Sequence, residues 1–146
     1  MATFSKYWPF SEALAEGKHN LAVDQLMIAL TNIAPTPSHG ALADLSGAHI
    51  LYGNVLTSPI PGRILPARGL NDSKQVGGVY TLILGDITIT ADPNDIPPFQ
   101  YIHLYNSAAV GDELIAYIDY GSPLTLLAGE ALRVDFDDND GLLTII

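Results

Sequence analysis

The acidic stretch near the C-terminus is the first place where residue types and spacing could do chemistry. VDFDDNDGLLTII (residues 134–146) carries four aspartates and one asparagine within six residues. A calcium loop of the EF-hand type needs Gly at its sixth position and Glu at its twelfth. Counted from Asp135, those positions hold Asp140 and Ile146. Because Asn, Asp and Gly favour tight turns, the sequence predicts a solvent-facing hairpin turn between ALRVDF and LLTII rather than a metal site.

No other combination of residues predicts catalysis. The sequence contains no HExxH or HxH spacing for a metal, no G-x-S-x-G nucleophile turn, no phosphate-binding loop and no G-x-G-x-x-G. Asp119 lies on a predicted strand among apolar residues, but acids are frequent throughout that half of the chain. His103 is flanked by apolar residues and is predicted to be a half-buried, hydrogen-bonded structural histidine. We therefore predict no catalytic, cofactor-binding or metal-binding residues and no enzyme activity; the histidines are widely spread, at His19, His39, His49 and His103.

The periodicity of the chain predicts an all-β fold in a single domain over residues 1–146. Apolar residues alternate in runs separated by Gly and Pro, which is typical of a β-sandwich, a jelly roll or a barrel. Only SEALAEG (residues 11–17) has helical character, with Ser11 as a candidate N-cap and Gly17 at its end. Residues 35–76 are predicted to form a long irregular loop. The predicted strands are DQLMIALT (24–31), VYTLILGDITITA (79–91, bent at Gly85), FQYIHLYN (99–106), ELIAYIDYG (113–121) and two within LTLLAGEALRVDF (124–136).

The charge distribution excludes one class of partner. The formal net charge is −10, and all of it falls in residues 76–146, which hold Arg133 and eleven acids. Without a basic patch the chain is not expected to bind nucleic acid. No apolar run is long enough to span a membrane, the N-terminus does not resemble a signal peptide, and there is no cysteine. The aromatic residues of the predicted strands could stack on a sugar, but packing within the sheets is the preferred interpretation.

Two segments are predicted to contact a partner. Four aromatic residues lie within the first ten positions, and residues 1–10 are predicted to form a partner-binding arm; the alternative is that this segment folds back onto its own sheets. In the proline-rich loop, Arg63 and Arg68 could bind carboxylates of a neighbouring subunit. The predicted interface residues are Phe4, Tyr7, Trp8, Phe10, Arg63 and Arg68.

Two stretches, together about half of the chain, resemble small virion proteins of tailed bacteriophages. EALAEGKHNLAVDQLMIALTNIAP (12–35) is similar to their opening helix and its H-N-L…D-x-L-x-x-x-L-T-N-x-A-P strand. IPPFQYIHLYN…GLLTI (96–145) is similar to their C-terminal half, with pF-x-Y-x-x-L-Y-N, L-I-x-Y-x-D-Y-G and G-E-x-L-x-V-x-F. Residues 36–76 depart from the pattern.

The family that the chain resembles is that of head decoration, or capsid cement, proteins. The resemblance implies a β-sandwich or jelly roll that binds and stabilises the shell of major capsid protein. It further implies self-association on the particle, a position on the capsid surface of the virion after synthesis in the host cytoplasm, and no catalytic residues or cofactor. A tail or neck component, or a receptor-binding or carbohydrate-binding module of the particle, remains the alternative.

Overall fold

The computed structural model describes residues 2–45, 74–92, 94–136 and 143–146, and within them the fold is all-β with one short helix. The fold class predicted from the sequence is therefore confirmed, whereas a jelly-roll order of the strands is not. In chain order the elements are β1 (Thr3–Lys6), α1 (Pro9–Ala15), β2 (Leu26–Thr31), a 3-10 turn (Leu42–Asp44), β3 (Lys74–Val76), β4 (Val79–Leu82), β5 (Ile87–Thr90), β6 (Ile96–Asn106), β7 (Glu113–Leu126), β8 (Ala131–Val134) and β9 (Leu143–Ile145).

Within the described part of the chain, the strands form three antiparallel sheets around a shared core. The largest sheet has the order β1-β7-β6-β2, and the two smaller sheets are β3-β4-β9 and β5-β8. Apolar side chains from all three sheets meet in one cluster, which we call the main core. Burial of this apolar surface is the dominant favourable contribution to folding. The four-stranded sheet contributes Ile28, Leu30 and Phe99 to this core. The smaller sheets contribute Leu82 and Ile89, and Phe136 lies just after β8.

The four-stranded sheet is also covered on its second face. Leu26, Ile28 and Leu30 of β2 point into the main core, as the alternation predicts, but Ala29 and Thr31 on the opposite face are buried as well. Ala29 packs with Tyr7 and with Leu42 and Leu45 of the 3-10 turn region. These residues form a second cluster, consisting of Tyr7, Ala29, Leu42, Leu45, Tyr105 and Leu114.

The helix begins earlier than the sequence predicts. Its N-cap is Trp8 and its first residue is Pro9, whose fixed φ suits the first helical position. Ser11 is therefore inside the helix and is not its cap. The predicted end is confirmed: the helix finishes at Ala15, and Gly17 adopts φ of +79°, the left-handed conformation that glycine tolerates best.

Two strand connections differ from the prediction. The last residues of the predicted loop, 74–76, form β3 and pair with β4 in a hairpin. Its turn residues Gly77 and Gly78 both have positive φ, as a tight two-residue turn requires. The predicted hairpin near the C-terminus is wrong in its pairing. β8 pairs with β5, whereas β9 pairs with β4, so the chain passes from one small sheet to the other. The acidic turn itself, residues 137–142, lies outside the described residues.

None of the helices in the described part of the chain is long and apolar enough to cross a membrane.

Candidate functional site

The N-terminal segment is attached to the fold along its length. β1 pairs with residues 116–119 of β7. Beyond it, the amide of Tyr7 donates to the carbonyl of Ile115 (3.0 Å), and the amide of Trp8 donates to the carbonyl of Pro37 (2.9 Å). The alternative stated for residues 1–10, a segment folded back onto its own sheets, is therefore the arrangement in the structure.

The four aromatic residues of this segment divide into two exposed and two buried side chains. Phe4 is 41% exposed and Trp8 is 69% exposed, whereas Tyr7 is 0% and Phe10 is 2% exposed. Tyr7 belongs to the second cluster and Phe10 to the main core. The prediction that all four are surface contacts is thus corrected, because Tyr7 and Phe10 cannot reach a partner without leaving the fold. Arg63 and Arg68 lie outside the described residues.

A directed chain of hydrogen bonds crosses the second cluster. The hydroxyl of Thr31 lies 3.3 Å from the carbonyl of Ile33, to which it donates, and 2.7 Å from Nε2 of His103. Nε2 must therefore carry the proton and donate to Thr31 Oγ1. That tautomer leaves Nδ1 of His103 as an acceptor, and the hydroxyl of Tyr7 donates to it at 2.8 Å. All three side chains are satisfied within the fold.

Burial favours the uncharged forms of His103 and Tyr7, the two titratable members of this hydrogen-bond chain. His103 has no exposed surface, and desolvation, with a smaller effect of His39, lowers its pKa to about 4. Desolvation raises the pKa of Tyr7, and Tyr117 raises it further. At neutral pH the phenol hydroxyl of Tyr7 therefore donates to the neutral imidazole of His103. The prediction of a hydrogen-bonded structural histidine is confirmed, although His103 is fully rather than half buried.

A second polar contact joins the segment before β2 to the end of β6. Asn106 is fully buried, and its Nδ2 donates to Nδ1 of His19 (3.1 Å) and to Oδ2 of Asp24 (2.6 Å). Its Oδ1 accepts from the amide of Ala108 (2.9 Å). Asp24 Oδ2 also accepts from the amide of Asn20 (2.7 Å), which fixes the turn between His19 and Asp24.

Within the described residues, one ring nitrogen of His19 has no hydrogen-bond partner. Since Nδ1 accepts from Asn106, the neutral ring carries its proton on Nε2, which is buried and has no hydrogen-bond partner in the part of the chain that the structure describes. The ring also contacts Phe10, at 5.2 Å between centroids. Desolvation lowers the pKa of His19, and the carboxylates of Glu113 and Asp24 partly oppose that shift.

Sequence reasoning missed this second contact. His19 and Asn106 are separated by 87 residues, and neither hydrophobic periodicity nor a short-range motif connects them. The available signal was the resemblance itself. His19 and Asp24 lie in the H-N-L…D pattern, and Asn106 ends the L-Y-N pattern.

The aromatic residues of β6 and β7 mostly pack against one another. The rings of Tyr7 and Tyr117 lie 5.1 Å apart, and those of Tyr101 and Tyr117 lie 6.5 Å apart. Tyr105 is buried in the second cluster. Tyr120 is partly exposed. The rings therefore act chiefly as cross-strand packing partners.

The carboxylates of Asp86 and Asp119, in the described C-terminal half, are held by neighbouring donors. Asp86 accepts from the guanidinium of Arg133 and from the amide of Phe136, and these hydrogen bonds lower its pKa. Asp119 accepts from Gln100 Nε2 (2.9 Å) and the amide of Gly121 (2.8 Å), which lower its pKa in the same way. Among the described residues, no group of three or more acids and histidines could hold a metal ion.

One cavity borders the hydrogen-bond chain of Thr31, His103 and Tyr7. It has a volume of about 130 Å³ and is lined by Thr31, Ile33, Ala34, Pro35, His39, Asp44 and Leu45. The carboxylate of Asp44 accepts from the amides of Gly40 (2.8 Å) and Ala41 (2.9 Å), which lower its pKa. Asp44 therefore serves to order the loop, and Thr31 is already committed to His103 and Ile33. Neither is left as an activated group for catalysis.

Comparisons with known proteins supply no identity. No protein-family model matches this chain, no curated protein matches it, and no solved structure matches it.

Proposed function

We propose that this chain is a structural protein of a bacteriophage virion, a capsid cement protein that binds and stabilises the shell of major capsid protein. It would associate with copies of itself on the particle and sit on the capsid surface, without catalytic activity. The starting point is the resemblance of residues 12–35 and 96–145 to decoration proteins.

The observation that carries the proposal is the contact between those two stretches. Asn106 from the second stretch binds His19 and Asp24 from the first. β2 of the first stretch also pairs with β6 of the second along its whole length. Residues shared with the decoration-protein pattern thus pack against one another, which supports a common fold rather than a chance similarity of composition.

Trp8 is the side chain best suited to contact the shell. Its ring is exposed, while its backbone is fixed by the hydrogen bond to Pro37 and by the adjoining β1 and α1. A rigid aromatic anchor loses little conformational entropy on binding, and Trp is enriched among residues that dominate interface energies. Phe4, on the edge strand β1, provides a second exposed ring.

Copy number tests the proposal against a receptor-binding or carbohydrate-binding role. Particles that contain this chain should be purified and their proteins quantified on a gel relative to the major capsid protein. A cement protein is expected in hundreds of copies per particle. A few copies, or a few tens, would contradict the proposal and indicate a tail, neck or receptor-binding component.

Substitutions test the assigned surface separately. Shells lacking this protein would be titrated with the purified chain and with Trp8→Ala, and bound protein would be measured after sedimentation. Loss of a buried interface anchor typically costs about 2 kcal/mol or more, so the dissociation constant should rise at least about 30-fold. Val110→Ala is the control, since Val110 is almost wholly exposed in the β6–β7 connection. Equal binding by both variants would remove Trp8 from the interface.

A further inference from the structure

Residues 3–8, which we call the N-terminal strap, form an edge strand followed by one buried side chain. The strap is held by pairing with β7, by the amide hydrogen bonds of Tyr7 and Trp8, and by the insertion of the Tyr7 ring into the second cluster. The contact of Tyr7 with His103 is the buried side-chain hydrogen bond that ties the strap to β6.

We propose that the Tyr7–His103 contact is an acid-sensitive latch, which releases the N-terminal strap from β7 when His103 is protonated while the rest of the fold persists. The reason lies in the direction of the hydrogen bonds. Nε2 of His103 already donates to Thr31, so Nδ1 must accept from Tyr7. A proton on Nδ1 turns that acceptor into a donor, and the buried Tyr7 hydroxyl loses the acceptor for its own proton. An unsatisfied buried polar group is costly.

The surroundings offer the protonated ring little compensation. The titratable groups nearest it are phenols and one imidazole: Tyr7 from the strap, Tyr117 from β7, Tyr101 on β6, and His39 from the loop after β2. The loop also carries Asp44, but its carboxylate is engaged by the amides of Gly40 and Ala41. Movement of the strap away from β6 gives the imidazolium access to water, which is the least costly way to hydrate it.

Release would change the surface that the protein presents. It would uncover the backbone edge of β7 at residues 116–119, together with the apolar residues Ala29, Leu42 and Leu114 beneath Tyr7. An unpaired strand edge beside apolar side chains is a template for pairing with another strand. Acid would thus convert a covered edge into a binding edge.

Hydrogen exchange of individual amides tests the latch. The amides of Tyr7 and Trp8 are hydrogen-bonded and report opening of the strap, while amides of the β2–β6 ladder report the remaining sheet. A histidine with a free pKa of 6.5 and a folded pKa of about 4 binds its proton mainly in the open state between these values. The opening constant of the strap should rise about 70-fold from pH 7.5 to pH 4.5, after correction for intrinsic exchange.

Three variants make the outcome decisive. His103→Gln should abolish the pH-dependent rise, whereas His39→Gln should keep most of it, because desolvation is the larger cause of the lowered pKa of His103. If His103→Gln does not fold, Tyr7→Phe decides: it should open more at pH 7.5 and show a smaller rise on acidification, because no hydroxyl is left to be unpaired. The proposal is overturned if strap amides and β2–β6 amides have equal protection factors at pH 4.5, since the strap would then open only together with the whole fold. It is also overturned if no rise occurs in the parent protein, or if Tyr7→Phe retains the full rise.

Discussion

Replacing Asn106 by Asp tests the contact that joins the two motif-bearing stretches. The change keeps the shape of the side chain and preserves the oxygen that accepts from Ala108. It replaces the nitrogen that donates to His19 and Asp24 by an oxygen. Two donors are lost, and a carboxylate then faces that of Asp24 across the 2.6 Å separation of the present hydrogen bond.

The expected loss of stability follows from those two hydrogen bonds. A hydrogen bond to a charged group contributes about 1.5–3 kcal/mol and a neutral one about 0.5–1.5 kcal/mol. Repulsion between the two carboxylates adds to the loss. We therefore expect Asn106→Asp to lower the free energy of unfolding by about 3–5 kcal/mol at pH 7.5.

The loss should shrink on acidification. Two adjacent carboxylates share one proton, so the folded-state pKa of the pair is raised. A group whose folded pKa is raised contributes most stability below its unfolded pKa and loses that contribution as the pH rises through the folded pKa. Protonation of His19 beside the new carboxylate acts in the same direction. The difference between parent and variant should therefore be smaller at pH 5.5 than at pH 7.5.

Urea unfolding followed by circular dichroism at both pH values measures this difference. Asn20→Asp is the matched control, since Asn20 is exposed and its side-chain oxygen accepts from Ala22, a role that Asp retains. It should cost less than about 1 kcal/mol. A loss below about 1 kcal/mol for Asn106→Asp, or one that grows on acidification, would refute the assigned hydrogen-bond directions.

Substitutions at three further positions separate core packing, backbone conformation and surface charge, each measured by urea unfolding. Phe10→Ala should cost about 3–5 kcal/mol, because Phe10 fills the main core rather than a partner surface; a cost near zero would restore it as a surface residue. Gly77→Val should cost about 1–2 kcal/mol at its positive φ, and Gly77→Asn clearly less, although no other part of the described chain lies within 4 Å of an added Cβ. Arg133→Ala should cost under about 1 kcal/mol, since its ion pair with Asp86 is exposed.

Hydrophobic alternation predicted the strands whose apolar side chains recur at every second position. β2 shows Leu26, Ile28 and Leu30 at intervals of two, and the break between β4 and β5 falls at the predicted bend around Gly85. These features depend on local periodicity, which the sequence displays directly. The Gly77–Gly78 turn was equally local, but its strands are short and the sequence before them has weak hydrophobic periodicity, so the pairing signal was weak.

The remaining errors concern contacts between distant parts of the chain. The predicted pairing of β8 with β9 assumed that neighbours in sequence are neighbours in a sheet, whereas each strand finds its partner in a different sheet. The aromatic residues near the N-terminus were correctly recognised as unusual. Composition could not show that Tyr7 and Phe10 are inserted into two different clusters while Trp8 remains outside.

The two buried polar contacts supply information that the apolar pattern lacks. The core face of β2 repeats every two residues, so a slip of two residues against β6 would still bury Leu26, Ile28 and Leu30. In the observed register, Leu26 lies opposite Asn106, which places Asp24 within reach of its amide. The same register places Ala29 opposite His103, with Thr31 as the acceptor for Nε2.

Such a slip would therefore break hydrogen bonds at both ends of the ladder. It would leave buried donors of Asn106 and His103 without acceptors, at about 1–3 kcal/mol for each. A purely apolar β2–β6 pair would have no comparable preference between these registers. The polar residues at the two ends thus select one register among those that the hydrophobic pattern permits, and this accounts for their burial without assigning them a role in catalysis.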